Sequence, residues 1–480
     1  MPAPPVHGLT LTVRADSGSP GSSVFDLPTQ SAAPPSLRAT SVQPSQALSS
    51  ALPPQVAPDV RFAVISGGTG GNAICAAFGA GAAYVLPVSD DGGSSSEIIR
   101  VLGGPSIGDI RSRLVRLIPD APGLHAPRRL LAHRLPADAA AAREEWREIV
   151  EGRSALWAGI PGDRKETIRG FLVHFESELL KRAQKNFTFV NGSIGNYFLA
   201  AAQGFFRSLP AAIFLFSSIT NSGATILPAI VTSHTVTIAA ELENGEKLVG
   251  QCEISHPVLA PVADPDVRSP VDDEDGMGAA PVSRRNVLFE PTAKGAYAPL
   301  GARISRACAA ACFYINAYGF EIHPAPNPAY VATLRASDVL VYACGSLWTS
   351  IIPCLALRGV GPAIARSRAL RAKVLLLNAT NDRETDGYTA VDYINAIVRT
   401  LNAHYDPPSY GLAYGRSNTT FPVSAFITDL VFLRDTSVAV DRKGIIAMGV
   451  RCTEVDGGGS GVFDAGCVKE AIDRILEQQE

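Results

Sequence analysis

Two short loops hold the residue types best suited to chemistry. The first, SGGTGG at 66–71, follows an apolar run and precedes an Ala-rich stretch that reads as helical. Glycines at Gly67, Gly68 and Gly70 let backbone N–H groups approach a phosphate closely, Thr69 adds a hydroxyl, and a helix N-terminus behind them adds a favourable dipole. A tight structural turn is the competing reading. The loop is not a nucleoside-triphosphatase P-loop, because no Gly-Lys dipeptide occurs anywhere in the chain. The second loop, DDGGSSS at 90–96, lies roughly 20 residues further on, where dinucleotide folds place a carboxylate on the ribose. Its pair Asp90 and Asp91 supports two chemistries: bonding to ribose hydroxyls, or holding Mg²⁺ together with phosphate oxygens, with Asp91 as the metal ligand. Helix capping by Asp and Ser explains one such residue but not the whole string.

Three further loops share this style. PSIGDIRSR (105–113) puts Asp109 and Arg111 at a helix start, NGSIGN (191–196) puts Ser193 and Asn196 before an apolar helix, and CGSLWTS (344–350) puts Gly345, Ser346 and Thr349 where a strand should end. Each is either an ordinary cap or a set of amides and hydroxyls aimed at a ligand. In α/β sheets, ligands bind outside the carboxyl ends of strands, where such loops gather.

The elements that must position these loops alternate. RFAVIS (61–66), AYVLPVS (83–89), DVLVYA (338–343), KVLLLN (373–378) and AFITDLVFL (425–433) read as strands, and helical patterns follow most of them. This is the signature of a mostly parallel sheet with helices on its faces. AAIFLF (211–216) is a further strand candidate. VTIAAEL and KLVGQCEI flank Asn244-Gly245, a pairing suited to a type I′ hairpin turn. Residues 121–185 form an Arg/Glu/Ala-rich helical insertion, and RILEQQE a polar terminal helix. Residues 1–58, with 11 Pro and 10 Ser and no Lys, cannot bury enough apolar surface to fold and read as a disordered tail, with a targeting segment as the alternative. The acidic DPDVRSPVDDEDGMG run within 257–300 reads as a solvated loop, leaving 59–480 as one domain.

Composition narrows the function. The 480 residues are 46% hydrophobic and 18% charged, enough for a large core. A net charge of -3 opposes a main task of gripping nucleic acid, and the longest apolar stretch, 209–216, is too short to span a bilayer. Eight cysteines without CxxC pairs fit neither a disulfide scaffold nor a zinc site. A cytoplasmic protein is expected, and assembly into homo-oligomers is compatible with the sequence. No GxSxG elbow points to a serine hydrolase.

With these motifs in order, the chain resembles the 2-phospho-L-lactate transferase/gluconeogenesis-factor superfamily of CofD-like and YvcK-like proteins. The resemblance rests on GGTG (67–70), DDGGSS (90–95), GDIR (108–111), GSIGN (192–196), GATILPA (223–229), the hairpin, GSLWTS (345–350) and ETDGYTAVDYI (384–394). It implies an α/β, Rossmann-like three-layer fold with a β-hairpin addition and a nucleotide in its cleft. Transferase members move a phospho-linked group from a nucleoside-diphosphate-activated donor with Mg²⁺; gluconeogenesis-factor members bind UDP-sugars and regulate. For the latter the resemblance places Tyr388, with Asp386 beside it, in the nucleotide site. Asp386 reads equally as a helix cap, and Tyr388 as the start of an apolar stripe with Val391, Ile394, Val398 and Leu401. The chain departs from the pattern at Arg113, at Trp348 and in ACGSLWTS. The leading expectation is a transferase with Asp90 and Asp91 in the catalytic centre; the alternative is a non-catalytic UDP-sugar sensor.

Overall fold

The computed structural model of the chain describes residues 60–68, 70–255, 304, 312–316, 318–403, 420–457 and 461–479. The tail at 1–58, the acidic segment at 257–300 and Thr69 lie outside the described residues.

Seven parallel strands form the main sheet: β1 (Phe62–Ile65), β2 (Ala83–Leu86), β3 (Thr225–Pro228), β8 (Val339–Tyr342), β9 (Ala372–Leu376), β10 (Asp429–Leu433) and β11 (Arg451–Val455). Their spatial order is β11-β10-β9-β8-β1-β2-β3, every neighbouring pair parallel. Buried on both faces, β2, β8, β9 and β10 are apolar at nearly every position, as a sheet covered by helices requires. From the β1/β8 pair the chain winds one way to β2 and β3 and the other way to β9, β10 and β11. The switch point lies at the carboxyl ends of β1 and β8, where open α/β sheets commonly hold their ligands.

A smaller antiparallel sheet, ordered β5-β4-β6-β7, comprises β4 (Thr237–Glu241), β5 (Lys247–Val249), β6 (Cys312–Ile315) and β7 (Glu321–Ile322). The expected hairpin is thus half of a four-stranded sheet. Its turn is not type I′: only Gly245 has positive φ, and its N–H closes on Leu242 C=O, a type I turn with a glycine bulge. KLVGQCEI divides at Gly250 (φ +93°), so QCEI leaves the sheet.

The helices that carry the loops are α1 (Gly93–Leu102), α2 (Gly108–Arg116) and α6 (Ile194–Phe206). The 121–185 segment is helical, comprising α3 (His125–Ala132), α4 (Ala139–Val150) and α5 (Gly162–Leu180). Trp146 of α4, Phe175 of α5, Phe189 and Tyr197 of α6 pack into one aromatic cluster that fastens this layer. Two expectations are corrected here. AAIFLF lies inside a helix, α7 (Leu209–Thr220), because Ser208 caps it by accepting from Ala211 N–H and Pro210 suits its first turn. The Ala-rich stretch after the first glycine loop forms only two 3₁₀ turns, Gly70–Asn72 and Cys75–Phe78; Gly79 at φ +70° ends it before an α-helix can propagate. Among the described residues, no helix is long and apolar enough to cross a membrane.

Candidate functional site

Two helix starts converge on one cavity of about 350 Å³. α1 begins after Gly92 and α2 after Ile107; neither of these residues supplies a capping side chain, and at α2 only the Gly108 N–H is met by a nearby hydroxyl, Ser106 Oγ at 3.4 Å. Their leading N–H groups therefore supply a partial positive potential to the cavity. Ser94 and Ser95 of α1, Asp109 and Arg111 of α2, Asp90 and Asn196 line it, with Arg134 at the rim. The approach is tight where the two helices meet: a Cβ on Gly108 would stand 2.7 Å from Ser95 Oγ and 2.8 Å from Asp90 Oδ2 and would displace both side chains from the cavity wall. Asn196 ties the walls together, accepting from Arg111 Nε at 3.1 Å and donating to Ser94 Oγ at 2.8 Å.

The charges in this cavity are uncomfortable as they stand. Asp90 accepts one N–H, from Gly92 at 3.0 Å, yet its carboxyl is pushed up to about 8 by burial, with Asp109 and then Asp91 adding repulsion. Burial also raises Asp109, opposed by the Gly68 amide and by the Arg113 and Arg111 cations. Arg111 is held down to about 10 by burial and by Arg134. Two carboxylates and two guanidiniums thus share one cavity without neutralising one another fully. Groups so perturbed around a cleft are where ligand and cation chemistry concentrates.

The switch point itself is packed from inside. A Cβ on Gly67 would stand 2.6 Å from Ser350 Cβ, so close loop-to-loop contact alone calls for glycine there, and one on Gly70 would press on Cys344 O and Gly345 Cα at 3.2 Å. Gly345 N–H donates to Asn378 Oδ1 at 2.9 Å, and Ser346 Oγ donates to Asp382 at 3.2 Å. Thr349 gives both its N–H (3.1 Å) and its hydroxyl (2.6 Å) to the buried carboxylate of Glu384, which also takes Trp348 N–H at 2.9 Å and Ser255 Oγ at 2.5 Å. Burial, and then Asp382, raise Glu384 to about 7. The amides expected to cradle phosphate in CGSLWTS are therefore already engaged by side chains.

The remaining expected residues separate. Asp91 turns away from the cavity: its Oδ1 accepts Cys252 N–H at 2.9 Å, and its Oδ2 abuts Gly250. Ser193 caps α6 through Asn196 N–H. Tyr388 is 4% exposed, its ring edge-on to Tyr393 at 6.0 Å, and neither it nor Asp386 lines the cavity. Thr389, not Asp386, caps the helix Ala390–Asn402, accepting from Asp392 N–H. Three residues were not assigned from sequence. Glu384 sits at the head of the ETDGYT run but carries no sign of its burial. Arg134 belongs to no motif. Arg113, marked only as a departure, is fully buried beneath the first glycine loop, donating to Gly71 O (3.0 Å) and Ser66 Oγ (2.8 Å).

A family model described as 2-phospho-L-lactate transferase CofD matches residues 62–456, which carry the sheet, both glycine loops and the whole cavity. The chain belongs to the CofD family. It is similar to the uncharacterized protein YNL011C of Saccharomyces cerevisiae, 34% identical over 434 residues that cover 82% of this chain and 95% of that protein. It is also similar to a putative gluconeogenesis factor of Nostoc sp., 24% identical over 340 residues covering 70% of this chain and 51% of that protein. A putative gluconeogenesis factor of Clostridium acetobutylicum is 25% identical over 222 residues, covering 46% of this chain and 38% of that protein. The chain thus spans about half or less of these gluconeogenesis-factor relatives. A solved structure of a UPF0052-family protein from Bacillus halodurans shares the fold, with a TM-score of 0.53 at 21% identity over 86% of this chain and 99% of that one.

The CofD resemblance implies Mg²⁺, and the residues fit it modestly. Mg²⁺ favours one or two carboxylates completed by substrate phosphates and water, and Asp90 and Asp109 offer such a pair, left repelling each other by the protein alone. No group of three or more His, Cys, Asp or Glu forms a ready cage among the described residues. Asp91, committed to Cys252, is the poorer ligand.

Proposed function

We propose that this cavity binds the diphosphate of a nucleoside-diphosphate-linked molecule and that the chain transfers a phospho-linked group from it. The observation that carries the reading is the convergence of the starts of α1 and α2, whose N-cap residues Gly92 and Ile107 offer no capping side chain, with Arg111 and Arg134 on the carboxylates of Asp90 and Asp109. Phosphate oxygens accept from the leading N–H groups of α1 and α2 and from the Ser94 and Ser95 hydroxyls. Arg111, braced by Asn196, meets the charge that develops on the leaving phosphate, and Arg134 closes the rim. Asp90 and Asp109 are the residues that would hold Mg²⁺, which when bound neutralises and polarises the phosphate oxygens. Gly67, Gly68 and Gly70 keep the β1 loop thin enough for Gly68 to lie against Asp109. This assignment moves the metal role from Asp91 to Asp90.

A second reading is supported by the gluconeogenesis-factor relatives: binding of a UDP-sugar without turnover, in a cytoplasmic regulator. Calorimetric titration of nucleoside diphosphates and UDP-sugars, with Mg²⁺ or with EDTA, tests both. Mg²⁺-dependent binding with consumption of a donor supports the transferase; tight UDP-sugar binding with no donor consumed across a broad acceptor panel supports the sensor; no binding of either class refutes the site.

A further inference from the structure

A second, larger cavity of about 510 Å³ lies further along α1. The first turn of α1 faces the candidate site, whereas Ile98 and Leu102 face this one. Its other walls come mainly from α5, α6 with Arg207 just beyond it, and the Gly103–Ile107 link into α2, with Ser233 at one side. Two features mark it as more than a packing fault. Phe205 packs edge-on against Phe171, His174 and Phe206, yet 62% of it is exposed, and Phe206 is 42% exposed. Large apolar side chains clustered in the open are a common mark of a binding surface.

The second feature is Arg207. It follows α6 in the left-handed conformation, φ 52° and ψ 32°, a place where helices normally end on glycine or asparagine. An arginine there carries backbone strain without gaining a local bond. It makes no ion pair and no side-chain hydrogen bond with any described residue, whereas Arg182, lining the same cavity, is satisfied by Glu178 at 2.8 Å. Arg207, exposed and without a side-chain partner among the described residues, therefore lines the same cavity as the exposed phenyl ring of Phe205, with the His174 ring edge-on to that phenyl.

We infer that this cavity is a binding site for a small organic anion with a flat apolar body, such as an aromatic carboxylate, sulfonate or phosphate. The ring lies against Phe205 and the anionic group meets Arg207, which gains the charge-assisted bonds it lacks within the protein. The site is separate from the proposed nucleotide cavity and does not depend on what that cavity binds.

Fluorescence titration of the full chain with 1-anilinonaphthalene-8-sulfonate, in EDTA and without nucleotide, tests the inference. The expected result is saturable binding with blue-shifted emission. Arg207→Gly should weaken it roughly tenfold, the scale of a lost bond to a charged group, while the melting temperature holds or rises because glycine adopts the left-handed conformation freely. Gly204→Phe should block the cavity: a Cβ there meets no heavy atom within 4 Å, so the ring has room to enter without disturbing α6. Arg134→Gln, at the rim of the other cavity, should leave the titration unchanged. Absence of saturable binding, binding unmoved by both Arg207→Gly and Gly204→Phe, or binding lost in Arg134→Gln would each overturn the assignment.

Discussion

Asp90 should be a residue that costs the free protein stability, and replacing it by asparagine should return that stability. Its carboxyl is moved from an ordinary 3.8 to about 8, chiefly by burial and secondly by Asp109. At about 1.4 kcal/mol per tenfold change in proton affinity, the full displacement amounts to roughly 5–6 kcal/mol between the two protonation states. The side chain is partly open to the cavity, so about 2–3 kcal/mol is the expected share. The sign follows from a folded-state pKa above the unfolded one. The contribution is fully present below about pH 4 and is lost as pH rises through about 8, because the unfolded chain ionises freely over that range while the folded chain resists. Asp90→Asn removes the penalty and lets an amide N–H face Asp109 in place of a second negative charge. Thermal or denaturant unfolding from pH 5 to 9 in EDTA reads the effect. The variant should gain on the wild type as pH rises, with the widest gap above pH 8. Adding Mg²⁺ should close the gap by stabilising only the wild type. An Asp90→Asn protein less stable than the wild type at pH 8.5, or two parallel pH profiles, would refute the reasoning.

Two more outcomes follow from buried polar groups. Glu384→Ala strips the acceptor from the Trp348 and Thr349 N–H groups and from two hydroxyls, and should destabilise by about 3–5 kcal/mol in denaturant unfolding, with Glu384→Gln milder. Arg113→Met should cost about 3–5 kcal/mol, since Gly71 O and Ser66 Oγ lose a buried charged donor.

The parallel sheet was legible because β1, β2, β8 and β9 are short apolar runs ending in polar or glycine-bearing loops, a pattern that few other structures tolerate. The apolar run at 211–216 was not, since six apolar residues suit a buried strand or a buried helix equally. The Ser208–Leu209–Pro210 start, a cap followed by a proline in the first turn, was the local signal for α7. The stretch after SGGTGG misled by its alanines, whose helix propensity cannot act between a glycine loop and Gly79. At the site, the DDGG and GDIR loops pointed to the two helix starts that do converge. What sequence could not show is which hydrogen-bond acceptors reach each loop from afar. Asn378 and Glu384 lie 33 and 35 residues beyond the amides of Gly345 and Thr349 that they engage. The divergence of Asp90 and Asp91 is similarly remote in origin, since Asp91 is drawn aside by the Cys252 amide 161 residues away.

The central claim is that Asp90 and Asp109 face a shared cation beside a bound diphosphate between the starts of α1 and α2. A crystal structure of the full chain grown with a nucleoside diphosphate and Mn²⁺ in place of Mg²⁺, with anomalous scattering recorded for the metal, tests it most directly. The account predicts one anomalous peak within bonding distance of Asp90 and Asp109, with phosphate density against the first turns of α1 and α2. A peak on Asp91 alone, or a diphosphate seated elsewhere, would contradict it.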